Sequence, residues 1–361
     1  MTSTGPHPTI SHIMAKPIYR LDEEELARRG ITDKIEIKED GLRTDPEKGY
    51  FEWWYFDAHL DDGSTVVIVF LTKSIMDYKG PMEPGLHITI TRPDGKKLEE
   101  YPTFKPAEFK ASRERCDVQI GPNRIQGDLR NYSLHARGDE LAVDLTFTGT
   151  APPWRPGDGK AYYGDLDHYF AWLPSIPYGT VKGTLGYDGK THQVKGSGYH
   201  DHNWGNLSLP RVMDHWYWGR ARVKDFTLIF VEQITHKRYG SKKHPVFYLA
   251  KGDQILTGEG DYLSLKKEDF IRHSDGRKYP EKLDFHWEHD GDSVHIALRN
   301  PEIIDAMSLL AKFPPWKQKL IRLFANPYYF RFNAEMDLDI RFGDIRVHEK
   351  GTSLYEMMIL N

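Results

Sequence analysis

The chain has 361 residues, with 49 Lys and Arg against 53 Asp and Glu, a net charge of −4 and one cysteine. That length predicts two domains, since single cores stop growing at about 250–300 residues. The near balance of charge, without clustered Lys and Arg, excludes a nucleic-acid surface, and the lone Cys116 excludes a disulfide scaffold.

Aromatic residues make up 13% of the chain, including 9 Trp and 20 Tyr, which fits β-structure with aromatic-lined cavities. Met1 to Ser11 lacks the basic start and apolar core of a signal peptide, and no apolar stretch reaches the length of a membrane span. The expected setting is therefore cytoplasmic, with no integral membrane segment and no obligate protein partner.

In chain order, residues 1 to about 20 are polar and Pro-containing and are expected to be extended. Leu21 to Arg29 reads as a short surface helix, acidic first and basic last, as the helix dipole favours. The rest reads as strand. Ser64–Leu71 is β-branched and apolar. Leu86–Thr91 and Leu141–Thr148 alternate apolar and polar residues, as do Phe226–Gln233, Leu283–Glu288, Ser293–Leu298 and Phe332–Phe342. Asp290-Gly291 is a hairpin signal between two of these runs. Pro301–Ala311 breaks the pattern: apolar residues at 303, 306, 307 and 310 predict a helix, stopped by Pro314-Pro315, with a second short helix over Trp316–Phe324. The predicted class is all-β, two successive barrel or sandwich domains with a helical insertion near residues 301–324, divided as 1–205 and 206–361.

The run Gly196-Ser-Gly-Tyr-His-Asp-His-Asn-Trp-Gly205 gathers many proton-carrying groups between glycines. On a strand, Tyr199 and Asp201 share one face while His200 and His202 share the other. Either choice aims at least two titratable groups into one cavity. An Asp in an apolar pocket is pushed upward by desolvation and can serve as an acid near neutral pH, with a neighbouring His or Tyr relaying its proton. The competing interpretation is a buried turn whose polar groups merely satisfy one another. His200 and His202 also have a metal-ligand spacing that Asp167, His168 or His215 could complete. Spacing fixes no third ligand, however, and no metal or other cofactor is expected.

Two aromatic runs complete the candidate lining: Phe51-Glu-Trp-Trp-Tyr-Phe-Asp57 and Asp214-His-Trp-Tyr-Trp-Gly-Arg220. Trp53 and Tyr55 face one way and Trp54 the other; Trp216, Trp218, Trp172 and Trp204 add to the set. Ring faces of this kind attract a cation. Asp167 is a candidate to orient His168. Arg220 and Glu356 are candidates either for a buried ion pair or for solvated charges. The sequence has no Gly-rich phosphate loop and no Gly-x-Ser-x-Gly elbow.

These motifs resemble the carotenoid 1,2-hydratase (hydroxyneurosporene synthase) family and its AttH-like, lipocalin-like relatives. The resemblance rests on Glu52-Trp53-Trp54-Tyr55, on Gly198 to Gly205 and on Trp216 to Arg220. It implies two lipocalin-like β-domains and cofactor-free hydration of an isoprenoid double bond; distant fungal relatives carry out Diels–Alder cyclisation. It further implies Asp201 as proton donor, with Tyr199 close by, His200 beside them and His168 matching the hydratases' upstream histidine. Trp53, Trp54, Tyr55, Phe170, Trp172, His202, Asn203, Trp204, Trp216 and Trp218 are then expected to bind a hydrophobic small molecule. Phe170 stands where the hydratases tend to carry Trp, a departure that bears on the substrate rather than on the fold. Three functions compete: acid catalysis by Asp201, cyclisation by shape alone, and non-catalytic carriage of a hydrophobic ligand.

Overall fold

The computed structural model describes residues 18–310 and 326–361, together with residues 316, 318 and 319. It is nearly all strand, in two antiparallel sheets of thirteen and nine strands. The expected surface helix forms over Glu23–Arg28. Asp22 caps it by accepting from the Glu25 amide at 2.8 Å, with Glu23 to Glu25 in the first turn and Arg28 in the last. Among the described residues no helix is long and apolar enough to cross a membrane.

The first sheet is built outward from a central pair, Phe51–Leu60 against Lys190–Gly205. On one side follow Thr65–Leu71, Gly85–Thr91 and Lys97–Glu100. On the other follow Tyr169–Tyr187, Ala142–Gly149 and Asn131–Arg137, then three short strands ending at Phe109–Ala111. Ile88 and Val118 lie far apart in this order yet share one apolar core, so the sheet curls on itself. The second sheet repeats the scheme. Met213–Val223 pairs with the last strand, Ile345–Ile359, and the chain meanders away on both sides. Its own core holds Tyr217, Phe230, Phe285 and Leu338. Asp290 and Gly291 both take positive φ, 49° and 86°, and close the hairpin expected there.

The helix expected from Pro301 does not form. Pro301–Ser308 is instead the end of the strand Asp292–Ser308, paired with Tyr328–Phe342. Register shifts between Arg299 and Glu302 and between Ile303 and Asp305 break its two-residue alternation, which is why its apolar residues fall at helical intervals. Pro301 sits at the first of these irregularities, where its missing N–H is tolerated. The long partner strand also needs its backbone groups paired, and that need overrides a local 3.6-residue spacing. In the second predicted helix, Trp316, Gln318 and Lys319 are helical; the remainder, like the expectation for residues 1–17, falls outside the described residues.

The two curled sheets meet through their outer faces. In Phe51–Leu60, Trp54, Phe56 and Ala58 point into the first core, which leaves Trp53, Tyr55, Asp57 and His59 facing the second sheet. An apolar seam of Trp154, Tyr199, Ile229, Val231, Val246 and Tyr248 fills part of this junction. A buried ionic clamp crosses it: Asp57, 1% exposed, accepts from Arg220, from Arg331 at 3.2 Å and from the Tyr55 hydroxyl at 3.1 Å. Burial alone would raise the Asp57 carboxyl, but the two arginines hold it below its ordinary value. Asp57→Ala is expected to lower stability by about 3–5 kcal/mol, because it strands the buried guanidinium of Arg331 and the largely covered one of Arg220. Urea unfolding followed by tryptophan fluorescence measures the loss.

Candidate active site

The strand Lys190–Gly205 carries two chemically distinct faces. Its first half is sculpted by close approach to the neighbouring strands: a Cβ on Gly198 would lie 2.6 Å from the Asp57 carbonyl oxygen and the Phe147 ring. A glycine is therefore required there, as the bracketing glycines of the motif suggested. From Tyr199 onward the pleat decides everything.

The inward face carries His200 and His202, both fully buried. The His200 ring stacks on Phe56 with centroids 3.8 Å apart. Its Nδ1–H donates to the Tyr55 carbonyl at 2.9 Å, and its Nε2 lies 3.2 Å from Asp40 Oδ2. The Tyr132 hydroxyl donates to the same Asp40 oxygen. His202 stacks on Trp54 and places Nε2 2.8 Å from Glu52 Oε1 and Nδ1 3.3 Å from Asp40 Oδ1. Glu52 is saturated further by the amides of Arg43 and Thr44 and by the Thr44 hydroxyl at 2.6 Å. Burial alone would lower His202, but its bonds to Asp40 and Glu52 outweigh that and raise it. Burial would likewise raise Asp40, yet His200 and His202 hold it well below the ordinary carboxylate range.

Asp40, Cys116 and His200 offer ligand atoms within 4.8 Å of one another. That arrangement does not fit a metal. Asp40 Oδ2 already accepts from Tyr132 and faces His200, and burial pushes the Cys116 thiol up, away from the thiolate a metal needs. The cluster is a buried network inside the first core in which Asp40 Oδ1 and His202 Nδ1, 3.3 Å apart, face each other without a geometrically good hydrogen bond.

The outward face carries Tyr199, Asp201 and Asn203. Asp201 is 9% exposed and takes three hydrogen bonds: the Trp172 indole N–H at 2.8 Å and the Tyr199 hydroxyl at 2.7 Å on Oδ2, and the Asn203 amide at 2.6 Å on Oδ1. Burial raises its carboxyl above the ordinary value, and the three neutral donors, together with the field of His200 behind the strand, oppose that rise without cancelling it. Across the junction the Trp218 ring meets the Tyr199 ring edge-on at 5.3 Å, and the Arg220 guanidinium lies 4.7 Å from that same ring. Trp154 stands edge-on to Trp172 at 6.2 Å. Tyr55, Trp172 and Trp218 keep partial exposure although buried residues ring them.

The predicted residues thus separate into three groups. Asp201, Tyr199, Asn203, Tyr55, Trp172 and Trp218 converge at the junction. Trp53, Phe170 and Trp216 form a second aromatic patch around Phe51 and Met213. His200, His202 and Trp54 lie on the opposite side of the strand pair, with Trp204 packed against His202. His168 stands apart on the surface, and the residue that holds its ring is Asp165, at 2.8 Å, rather than Asp167. The carboxylate paired with Arg220 is Asp57, while Glu356 accepts from the Tyr329 hydroxyl at 2.5 Å. Asp40, Trp154 and Arg331 were missed. Asp40 lies in a short 3-10 turn without periodicity, and no sequence pattern marks it.

His202 provides a pH test of the inward network. Its raised value means that the stability it lends is fully present below the unfolded value of about 6.5 and is lost as pH rises through the folded one. Asp40 runs the other way, its contribution being lost on acidification below about pH 4. His202→Asn is therefore expected to cost most stability at about pH 5–6 and less at about pH 9, as read from urea midpoints at each pH.

The family model described as AttH-like matches residues 44–307. The quinolone epoxide rearrangement protein of Penicillium thymicola is 38% identical over 236 residues, 57% of this chain and 61% of that protein. The acyclic carotenoid 1,2-hydratase of Rubrivivax gelatinosus is 26% identical over 215 residues, 55% of this chain and 51% of that protein. The chain therefore spans little more than half the length of either relative. A crystal structure of an AttH protein from Nitrosomonas europaea superposes with a TM-score of 0.58 at 16% identity, covering 85% of this chain and 92% of that one. That likeness is one of fold, and it agrees with the lipocalin-like, all-β architecture read from the motifs. With the family model running through both sheets, from Thr44 to Met307, the chain belongs to the AttH-like family.

Proposed function

We propose that this protein is an acid-catalysed hydratase, rearrangement or cyclisation enzyme for a hydrophobic small molecule bearing an epoxide or an electron-rich double bond, with Asp201 as the proton donor. The observation that carries this reading is the placement of Asp201: a carboxyl raised by burial, hydrogen-bonded only by neutral donors, at an aromatic junction whose Tyr55, Trp172 and Trp218 rings keep partial exposure. A protonated Asp201 gives its proton to the epoxide oxygen or to an alkene carbon, and the carbon left electron-poor becomes a cation. The Tyr199, Trp172 and Trp218 rings are the groups placed to stabilise that cation. Water, or a nucleophile within the substrate, then captures it.

The names of the relatives support this chemistry, because epoxide rearrangement and alkene hydration both begin with protonation of a neutral, greasy substrate. The higher identity to the epoxide protein, and Phe170 at a position where the resemblance implies Trp for a carotenoid, favour a compact aromatic epoxide over a long polyene. In this reading each sheet is one domain, divided at 205/206, and the substrate lies between them. Tyr199 is a positioning residue for Asp201, since its hydroxyl fixes the oxygen that delivers the proton. His200 and His202 act at one remove, stiffening the strand from behind.

Asp201→Asn preserves shape and tests the reading with an epoxyquinolone and an acyclic carotenoid as trial substrates. Turnover is expected to fall by about 10²–10⁴-fold, the usual worth of a positioned acid, while tryptophan quenching shows binding retained. Wild-type turnover is expected to decline as pH rises through the raised value of Asp201, because the acid must be protonated to act. Full activity in Asp201→Asn would point instead to cyclisation by shape, and binding of both molecules without turnover in the wild type would point to a carrier.

A further inference from the structure

We infer that Glu356, from the last strand of the second sheet, is the base that works opposite Asp201 across the junction, taking up the proton that the captured cation or the attacking water gives up. This rests on the reading of Asp201 as an acid and adds to it the second half of the proton circuit.

The placement comes from register. Glu356 is the cross-strand partner of Trp218 on one side and of Arg331 on the other, so all three share the face that the second sheet turns toward the first. Trp218 is the residue whose ring meets Tyr199, and Tyr199 holds Asp201. On the first sheet, Asp201 is the cross-strand partner of Tyr55, whose hydroxyl donates to Asp57, and Asp57 in turn binds Arg331. Glu356 and Asp201 are thus joined by two independent routes, one along the aromatic edge and one through the ionic clamp. They come from opposite sheets. Glu356, Tyr329, Tyr55 and Trp218 each retain partial exposure, whereas Asp57 and Arg331 between them are buried.

The environments divide the labour. Glu356 faces Tyr329 and Arg331 from its neighbouring strand, Arg220 from Met213–Val223, and Tyr55 and Asp57 from the first sheet. Burial raises the Glu356 carboxyl above its ordinary value, while the permanent cations Arg331 and Arg220 and the Tyr329 hydroxyl oppose that rise by favouring the carboxylate form. Asp201 is touched only by Trp172, Tyr199 and Asn203, none of them charged. Burial raises both carboxyls, and the two guanidiniums beside Glu356, which Asp201 lacks, make Glu356 the member of the pair better placed to hold the carboxylate form. In hydration, Asp201 loses its proton to an alkene carbon, water oxygen bonds to the cation, and Glu356 takes the water proton. The alkene and one water become an alcohol, and the proton returns from Glu356 to Asp201 through solvent. In epoxide rearrangement, Asp201 protonates the oxygen as its C–O bond breaks, and Glu356 removes the proton that the internal nucleophile or adjoining carbon releases. The product is then an isomer of the substrate.

Glu356→Gln keeps the acceptor for Tyr329 and removes only the charge. Two readouts test it. In the first, N,N-dimethyldodecylammonium stands in for the cation and dodecanol for a neutral substrate, both followed by tryptophan quenching. Glu356→Gln is expected to bind the ammonium roughly tenfold more weakly and the alcohol equally well. In the second, turnover of whichever trial substrate the wild type converts is expected to lose its acid-side limb, along with at least about 10²-fold in rate. Tyr329→Phe keeps the carboxylate but removes a hydrogen bond to its charged form, so it is expected to move that limb to higher pH, which a purely structural glutamate would not do. Unchanged ammonium affinity and an unchanged pH profile in folded Glu356→Gln would overturn the base while leaving Asp201 as the acid. Undiminished turnover in Asp201→Asn would overturn the acid and the pair together.

Discussion

The pleat of one strand pair governs this molecule. Phe51–Leu60 and Lys190–Gly205 run side by side through the middle of the first sheet, and their side chains alternate between two environments that share almost nothing. On the inner side, His200 and His202 face Asp40 and Glu52, all four fully buried. On the outer side, Asp201 sits among rings and neutral donors. The inner histidines bind the inner carboxylates, so the outer carboxyl has no cation in contact and feels His200 only through the strand. Separation by strand alternation lets two titrating systems coexist within a few residues without merging into one ion-pair network.

The second constraint is the way the sheets are joined. Apolar packing through Trp154, Val231 and Tyr248 supplies much of the contact area. Direction comes from Asp57, which takes both arginines from the other sheet. Packing of apolar rings tolerates sliding; a buried carboxylate with two fixed guanidiniums does not. The clamp thereby sets where Trp218 stands over Tyr199, and through Tyr199 the orientation of Asp201.

Much of this was legible from residues alone, and the reasons are specific. Alternation carries strong information wherever one face of a strand is buried, so Thr65–Leu71, Ala142–Gly149 and Phe226–Thr235 were readable almost to their ends. The grouping of Tyr199 with Asp201 followed from the same rule. Pro301–Ser308 misled because irregular register imitates a helical interval, and only the partner strand Tyr328–Phe342 reveals the difference. Asp40 was invisible for another reason: its role depends on a turn that places it beneath a strand some 160 positions later. Sequence patterns report the face a residue occupies. They do not report which residue from another sheet meets it, so the Asp57 clamp and the surroundings of Glu356 required coordinates.

The division of the junction between two sheets has an evolutionary consequence. Asp201 and its three hydrogen-bond donors belong wholly to the first half of the chain, while Trp218, Arg220, Tyr329 and Glu356 belong to the second. Drift in the second half can therefore remodel the wall that greets a new molecule while the acid stays as it was. A scaffold arranged in this way is free to change its clientele by altering one partner of a docked pair, which suits a lineage whose members carry names drawn from unlike reactions.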